Sequence, residues 1–145
     1  MFSKACEYGI RATIYIAGQS GQGLRASLQD IAREVGSPAA FTAKILQTLT
    51  RHKIISANKG PNGGYEFHGK DAGSVKLAQL VKAIDGKKIY KDCCLGLAEC
   101  DSERPCPIHH KFEHIREELE EMLENTTISE LAEKLGNGEV FLKRT

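Results

Sequence analysis

Apolar residues return along this chain mostly at intervals of three and four, and glycine-rich breaks divide that spacing into helices. Between Cys6 and Gly18, Ile10, Ala12, Ile14, Ile16 and Ala17 predict a first helix, with Gly18 to Gly23 as its stop and loop. Ser27 then precedes Leu28, Ile31, Ala32 and Val35, so its hydroxyl can cap a second helix whose first turn carries Asp30 and whose end is Gly36. After Gly36, Ser37 and Pro38, a third helix is expected from about Ala39 to His52. It buries Ile45, Leu46 and Leu49 and turns Thr42, Lys44, Gln47, Thr48 and Arg51 in other directions.

The period then changes. Ile54 to Ala57 and Tyr65 to Phe67 are β-prone and flank Asn58-Lys59-Gly60-Pro61-Asn62-Gly63-Gly64, a segment whose Gly and Asn tolerate positive φ. This predicts a hairpin with a basic tip. Val75, Leu77, Leu80, Val81 and Ile84 mark a fourth helix closed by Gly86, and a loop of about residues 87–105 follows. From Pro107, the residues Ile108, Phe112, Ile115, Leu119 and Met122 alternate steps of four and three, a coiled-coil-like seam. So short a seam must pack on its own domain or on a symmetry mate, and a homodimer is the expectation. Thr127 and Glu130 form a capping box for a last helix carrying Ile128, Leu131, Ala132 and Leu135.

These elements predict a mainly α fold with a small β-hairpin wing: a winged helix-turn-helix plus a long C-terminal dimerisation helix. The helix-turn-helix unit is placed at 1–70. A helical region at 71–145 is expected to hold the cysteine-rich loop (87–106) and the dimerisation helix (107–125).

Composition narrows the partner. The 145 residues are 41% hydrophobic and 27% charged, the balance of a folded domain. The net charge is only +1, but residues 1–70 hold nine Lys and Arg against four Asp and Glu, so the basic half is the candidate for a polyanion. No apolar run is long enough to span a bilayer, and the first residues lack a secretory pattern; no membrane association and a cytoplasmic location are expected. A Walker loop, a nucleophile elbow and a recognisable carboxylate pair are all missing, which argues against an enzyme.

A helix-turn-helix followed at once by a Gly-rich hairpin offers one helix to the major groove of double-stranded DNA and a basic tip to the backbone or minor groove. Thr42, Lys44, Gln47, Thr48 and Arg51 then face base edges and phosphates. Lys59, Asn62, Gly63 and the Tyr65 hydroxyl grip the neighbouring strand, with further contacts from Ser27 and Ser37. Two-fold symmetry predicts a pseudo-palindromic operator.

Of the cysteines, Cys93, Cys94, Cys100 and Cys106 crowd together, which in a reducing compartment favours metal ligation over disulfides. Cys94, Cys100 and Cys106 are spaced C-x5-C-x5-C, and His109 follows as C-x2-H. Three thiolates and an imidazole suit a tetrahedral zinc site or an iron-sulfur cluster, and spacing alone does not separate them. Cys93 reads as a spectator thiol, with replacement of Cys94 in a C-x6-C register as the alternative. Cys6 reads as a small buried hydrophobe. His110 and His114, four residues apart, read as a solvated helix face.

Glu7-Tyr8-Gly9-Ile10-Arg11-Ala12, Ile31-Ala32, Phe41, Lys44-Ile45-Leu46-Gln47-Thr48-Leu49 and above all Lys59-Gly60-Pro61-Asn62-Gly63-Gly64-Tyr65 resemble the IscR-type (IscR/NsrR-like) family of bacterial winged-helix regulators. Ala83-Ile84-Asp85-Gly86, the cysteine loop and Ile128-Ser129-Glu130-Leu131 follow in the family's order. The resemblance implies a DNA-binding transcriptional regulator, a repressor by preference, that senses cluster status, redox state or nitric oxide. It also tips the metal from zinc to an iron-sulfur cluster, 2Fe-2S before 4Fe-4S. By position His109 is the fourth ligand, with Glu7, supplied by a partner chain, as the alternative. A DNA-binding protein with structural zinc and a small electron-transfer protein are the competing readings.

Overall fold

The computed structural model describes residues 1–67 and 71–144. The chain forms α1 (Lys4–Gly21), α2 (Leu28–Val35), α3 (Ala39–Arg51), β1 (Ser56–Asn58), β2 (Gly64–Glu66), α4 (Asp71–Ser74), α5 (Leu77–Asp85), α6 (Lys88–Lys91), α7 (His109–Asn125) and α8 (Ile128–Gly136). The expected mainly α architecture with a two-stranded wing is what forms.

Local chemistry sets most boundaries. Ser3 and Ser27 accept hydrogen bonds from the amides of Cys6 and Asp30 and so start α1 and α2. Gly36, at φ +67°, ends α2 in the left-handed conformation that glycine adopts without steric cost. Thr127 and Glu130 build the expected capping box of α8. Helix α1 runs through Gly18 to Gly21, past its expected stop, because Gly18 sits on a helix already held by its buried apolar face.

The strands are displaced toward the tip from their expected positions. Ile54, Ile55 and Phe67 go into the core, and pairing falls on Ser56 with Glu66, Ala57 with Tyr65 and Asn58 with Gly64. A third backbone segment joins the hairpin: Ala26 and Tyr65 exchange N–H···O bonds of 3.0 and 2.8 Å. The wing is thereby tied to the turn before α2, and the Phe67 amide donates to the Ser20 hydroxyl at 2.9 Å.

One hydrophobic core joins both halves of the chain. Ile16, Ile31, Leu46 and Leu49 from the first half share it with Leu80, Val81, Leu123 and Ile128 from the second, all buried. Helix α8 packs on α1, and α5 packs on α1, α3 and α7. The expected boundary at residue 70 lies outside the described residues. The expected loop at 87–105 is interrupted by the single turn of α6, so the connection between α6 and α7 is shorter than anticipated.

Candidate nucleic-acid interface and metal centre

Helix α3 divides cleanly. Thr42, Ile45, Leu46 and Leu49 face inward, whereas Lys44, Gln47 and Arg51 are exposed and Thr48 is half-buried. These four outward residues fall at i, i+3, i+4 and i+7, one polar stripe along one side of the helix. Thr48 also donates to the Lys44 carbonyl at 3.2 Å.

Thr42 and Ser37 are corrections to the expected set. Thr42 is 1% exposed, its hydroxyl bonded to Pro38 O at 2.8 Å and to the Ser37 hydroxyl, and Ser37 is itself buried. The pair closes the turn between α2 and α3 and is spent on the fold. Ser27 is half-buried and engaged as the cap of α2.

The wing places Lys59 and Asn62 at its exposed tip and Tyr65 at its half-buried base. Gly63 and Gly64 are there for steric reasons. A Cβ on Gly63 would lie 2.4 Å from Asn58 O, and one on Gly64, at φ +142°, would lie 2.8 Å from Ala26 O. Arg25, which the sequence pattern did not single out, donates from a terminal guanidinium nitrogen to Asn62 O at 2.9 Å and pairs through Nε with Glu66 at 3.3 Å. Nothing local marks an isolated arginine before a helix cap; its partners lie some 40 residues downstream.

The second site is a cavity of about 310 Å³ bordered by Cys93, Cys94, Cys100, Cys106 and His109 and closed by Tyr90, Phe112 and Arg116. Helix α6 carries Tyr90, the α6–α7 connection carries the thiols, and α7 carries His109, Phe112 and Arg116. All four predicted ligands therefore reach one space. His109 is buried, its Nδ1 3.4 Å from Cys100 Sγ. Arg116 donates to Cys100 Sγ at 3.2 Å and to the Asp92 carbonyl, bracing the loop against α7. Asp101 accepts from the Glu103 amide at 2.9 Å and from Arg104 Nε at 3.1 Å, which holds its carboxyl below the usual range.

Cys93 is buried and Cys94 exposed, while Cys100 and Cys106 are half-buried. Amides of Leu95 and Leu97 donate to the Cys93 sulfur and lower its pKa; desolvation, then the contact with Cys93, raises that of Cys106. Glu7 is not on the cavity wall; on α1 it pairs with Lys4 at 3.4 Å. Cys6 is fully buried, as expected, and burial together with Asp85 pushes its thiol up to about 12.

Two observations bear on what the cavity can hold. Among the described residues, the only three ligand atoms mutually within 4.8 Å are those of His109, His110 and Glu113. No three of the thiols lie mutually within 4.8 Å among the described residues; they border a shared space instead. Also among the described residues, the Tyr90 hydroxyl and Arg116 Nε are the buried side-chain polar atoms without a hydrogen-bond partner. Both residues border this cavity, and two orphaned donors there call for an acceptor, as anionic sulfur would be. Thiols and an imidazole around one space suit a metal centre ligated by cysteine and histidine.

A helix-turn-helix with an exposed polar stripe, followed by a braced glycine-rich hairpin, defines a winged-helix DNA-binding regulator. Residues 2–134 match the Rrf2 family, described as iron-dependent transcriptional regulator, and the chain belongs to that family. It is 29% identical over 124 residues to the HTH-type transcriptional regulator IscR of Klebsiella pneumoniae, covering 86% of this chain and 74% of that protein. Its fold matches CymR, the global cysteine regulator of B. subtilis, with a TM-score of 0.73 at 19% identity over 92% of this chain and 96% of that one. IscR of T. potens matches with a TM-score of 0.73 at 16% identity over 97% and 91%. The family and the Klebsiella relative are described as transcriptional regulators. No helix among the described residues is long and apolar enough to cross a membrane.

Proposed function

We propose that this protein is an iron-sulfur-dependent repressor that binds a pseudo-palindromic operator as a homodimer. The observation that carries the reading is the single cavity on which four thiols and the buried imidazole of His109 converge beside two orphaned donors.

Cys94, Cys100, Cys106 and His109 are the ligands that the C-x5-C-x5-C-x2-H spacing nominates. When bound, the cluster supplies a centre that oxidants and nitric oxide attack. Arg116 offsets the negative charge of the thiolates and pins the loop to α7. Lys44, Gln47, Thr48 and Arg51 read the major groove, and Lys59 and Asn62 meet the backbone beside it.

Support for the dimer comes from α7. Leu123 is buried against its own domain, while Ile108, Ile115 and Met122, spaced seven apart, are 38%, 53% and 48% exposed. An apolar stripe at heptad spacing is what a second copy of the helix covers. Two recognition helices related by that axis suit half-sites about 34 Å apart. The thiol loop leads directly into α7, so its order sets where α7 begins and hence how the two helices are spaced. A coupling of a few kcal/mol between loop and interface is enough to switch operator affinity.

Anaerobic purification followed by a visible spectrum and iron, sulfide and zinc analysis tests the reading. A brown protein with iron and sulfide is expected. A colourless protein with stoichiometric zinc replaces the sensor with a DNA-binding protein carrying a structural metal.

A further inference from the structure

We propose that Arg25 is a positioning residue for DNA binding: it cancels the one carboxylate of the wing and fixes the backbone from which Lys59 and Asn62 project. This role rests on the reading that the wing meets DNA.

From Ser56 to Glu66 the hairpin carries one cation, Lys59, and one anion, Glu66, so by itself it is neutral. A neutral wing has no net attraction for a polyanion, and an unpaired carboxylate beside phosphates repels it. Glu66 is not left unpaired. Its Oε2 lies 3.3 Å from Arg25 Nε, and its Oε1 accepts from Asn58 Nδ2 at 2.9 Å. Both carboxylate oxygens are thus engaged, one across the hairpin to β1 and one to the turn before α2. Arg25 makes a neutral hairpin positive.

The same guanidinium reaches the tip. Its Nη1 donates to the Asn62 carbonyl at 2.9 Å, in the turn that the Gly63 amide closes on Gly60 O at 2.9 Å. Gly64 leaves room for this reach, since a Cβ there would already stand 3.3 Å from Arg25 Cβ. The next residue, Ala26, holds Tyr65 through the main chain. Two adjacent residues therefore tie the base, one strand and the tip of the hairpin to the start of α2. A planar guanidinium can hold a carboxylate and a carbonyl at once because its donors are fixed in a fork, which a lysine ammonium lacks. Lys59 and Asn62 are exposed on the segment so held, and a tip ordered in advance does not lose that freedom when it binds.

The pair is not there chiefly for stability. Its side chains are 40% and 21% exposed, and ion pairs open to solvent contribute little to folding. Removing Arg25 should therefore act on binding more than on melting.

The test is fluorescence-anisotropy titration of a labelled, mixed-sequence DNA duplex with the full-length protein at several salt concentrations. The variants are Lys59→Ala, Arg25→Ala and Glu66→Gln, with Arg25→Ala also combined with each of the other two. Lys59→Ala is expected to weaken binding and to flatten the slope of log K against log salt by about 0.9. Arg25→Ala should weaken binding by on the order of tenfold, with a melting temperature close to that of the wild type. In the Arg25→Ala background, Glu66→Gln should recover more affinity than it gains in the wild type, because the stranded carboxylate is gone. Lys59→Ala should cost less there than in the wild type, because an untethered tip no longer presents the lysine. Equal effects in the two backgrounds, for either pair, overturn the positioning role and leave Arg25 at most a separate phosphate contact. A large drop in melting temperature for Arg25→Ala overturns it as well, by making the residue a structural one. If Lys59→Ala binds the duplex as the wild type does, the reading that the wing meets DNA fails, a result distinct from the others.

Discussion

Replacing Gly64 by alanine puts the wing's attachment under direct test. The new Cβ would stand 2.8 Å from Ala26 O and 3.1 Å from Ala26 C, both backbone atoms that no side-chain rotation can move aside. The φ of +142° adds a strain that an L-residue resists, of about 1–3 kcal/mol. Relief requires Ala26 to withdraw from Tyr65, which forfeits one or both of their mutual hydrogen bonds at about 0.5–1.5 kcal/mol each. The sum is about 1.5–6 kcal/mol, or roughly 5–20 °C in melting temperature for a chain of this size. Gly18→Ala is the matched control: the same atom is added to a helix interior with nothing within 4 Å. It should stabilise by about 0.5–1 kcal/mol. Thermal melts of the metal-free proteins give the stabilities, and titration of a DNA duplex shows whether Gly64→Ala also weakens binding. If Gly64→Ala melts with the wild type and binds DNA equally well, the bridge from Ala26 to Tyr65 does not hold the wing and the argument fails.

Other perturbations separate the roles assigned above. Thr42→Val should destabilise by about 1–3 kcal/mol by stranding the Ser37 hydroxyl, without altering base preference, whereas Gln47→Ala should leave melting unchanged and cost about 1–3 kcal/mol of discrimination in competition binding. Ile115→Glu combined with Met122→Glu, at sites 53% and 48% exposed in the single chain, should yield a folded monomer by light scattering and circular dichroism; a persisting dimer removes α7 as the interface. Cys6 holds its proton far above the ordinary thiol value of 9.0, up to about 12, so the folded state binds the extra proton between those values and loses stability as pH rises through them. Urea titrations across that range should show a steeper alkaline loss for the wild type than for Cys6→Ala, and a parallel decline assigns it elsewhere.

Features written in local spacing were legible before any fold was known. Gly36 and the Thr127–Glu130 box mark helix ends because a cap is satisfied within one turn of chain. The outward stripe of Lys44, Gln47, Thr48 and Arg51 and the glycines of the wing likewise follow from period and backbone conformation. What the sequence could not decide depends on partners distant in the chain. Thr42 falls in register with Ile45, Leu46 and Leu49, so its burial fits the helical period; only the folded turn shows Ser37 taking up its hydroxyl. Arg25 and Arg116 are isolated charges in sequence and become braces when Glu66 and Cys100 arrive beside them. Adjacent cysteines are equivalent on paper. The turn at Gly96 and the anchoring of Asp92 bury one and expose the other, because backbone direction at a point is settled by contacts made elsewhere. The sequence by itself determined the longer helices, the wing and the candidate chemistry; tertiary structure decided the short helices α4 and α6, which side chains are spent on holding the fold and which are left to act, since hydrogen-bond partners and burial exist only once distant segments meet.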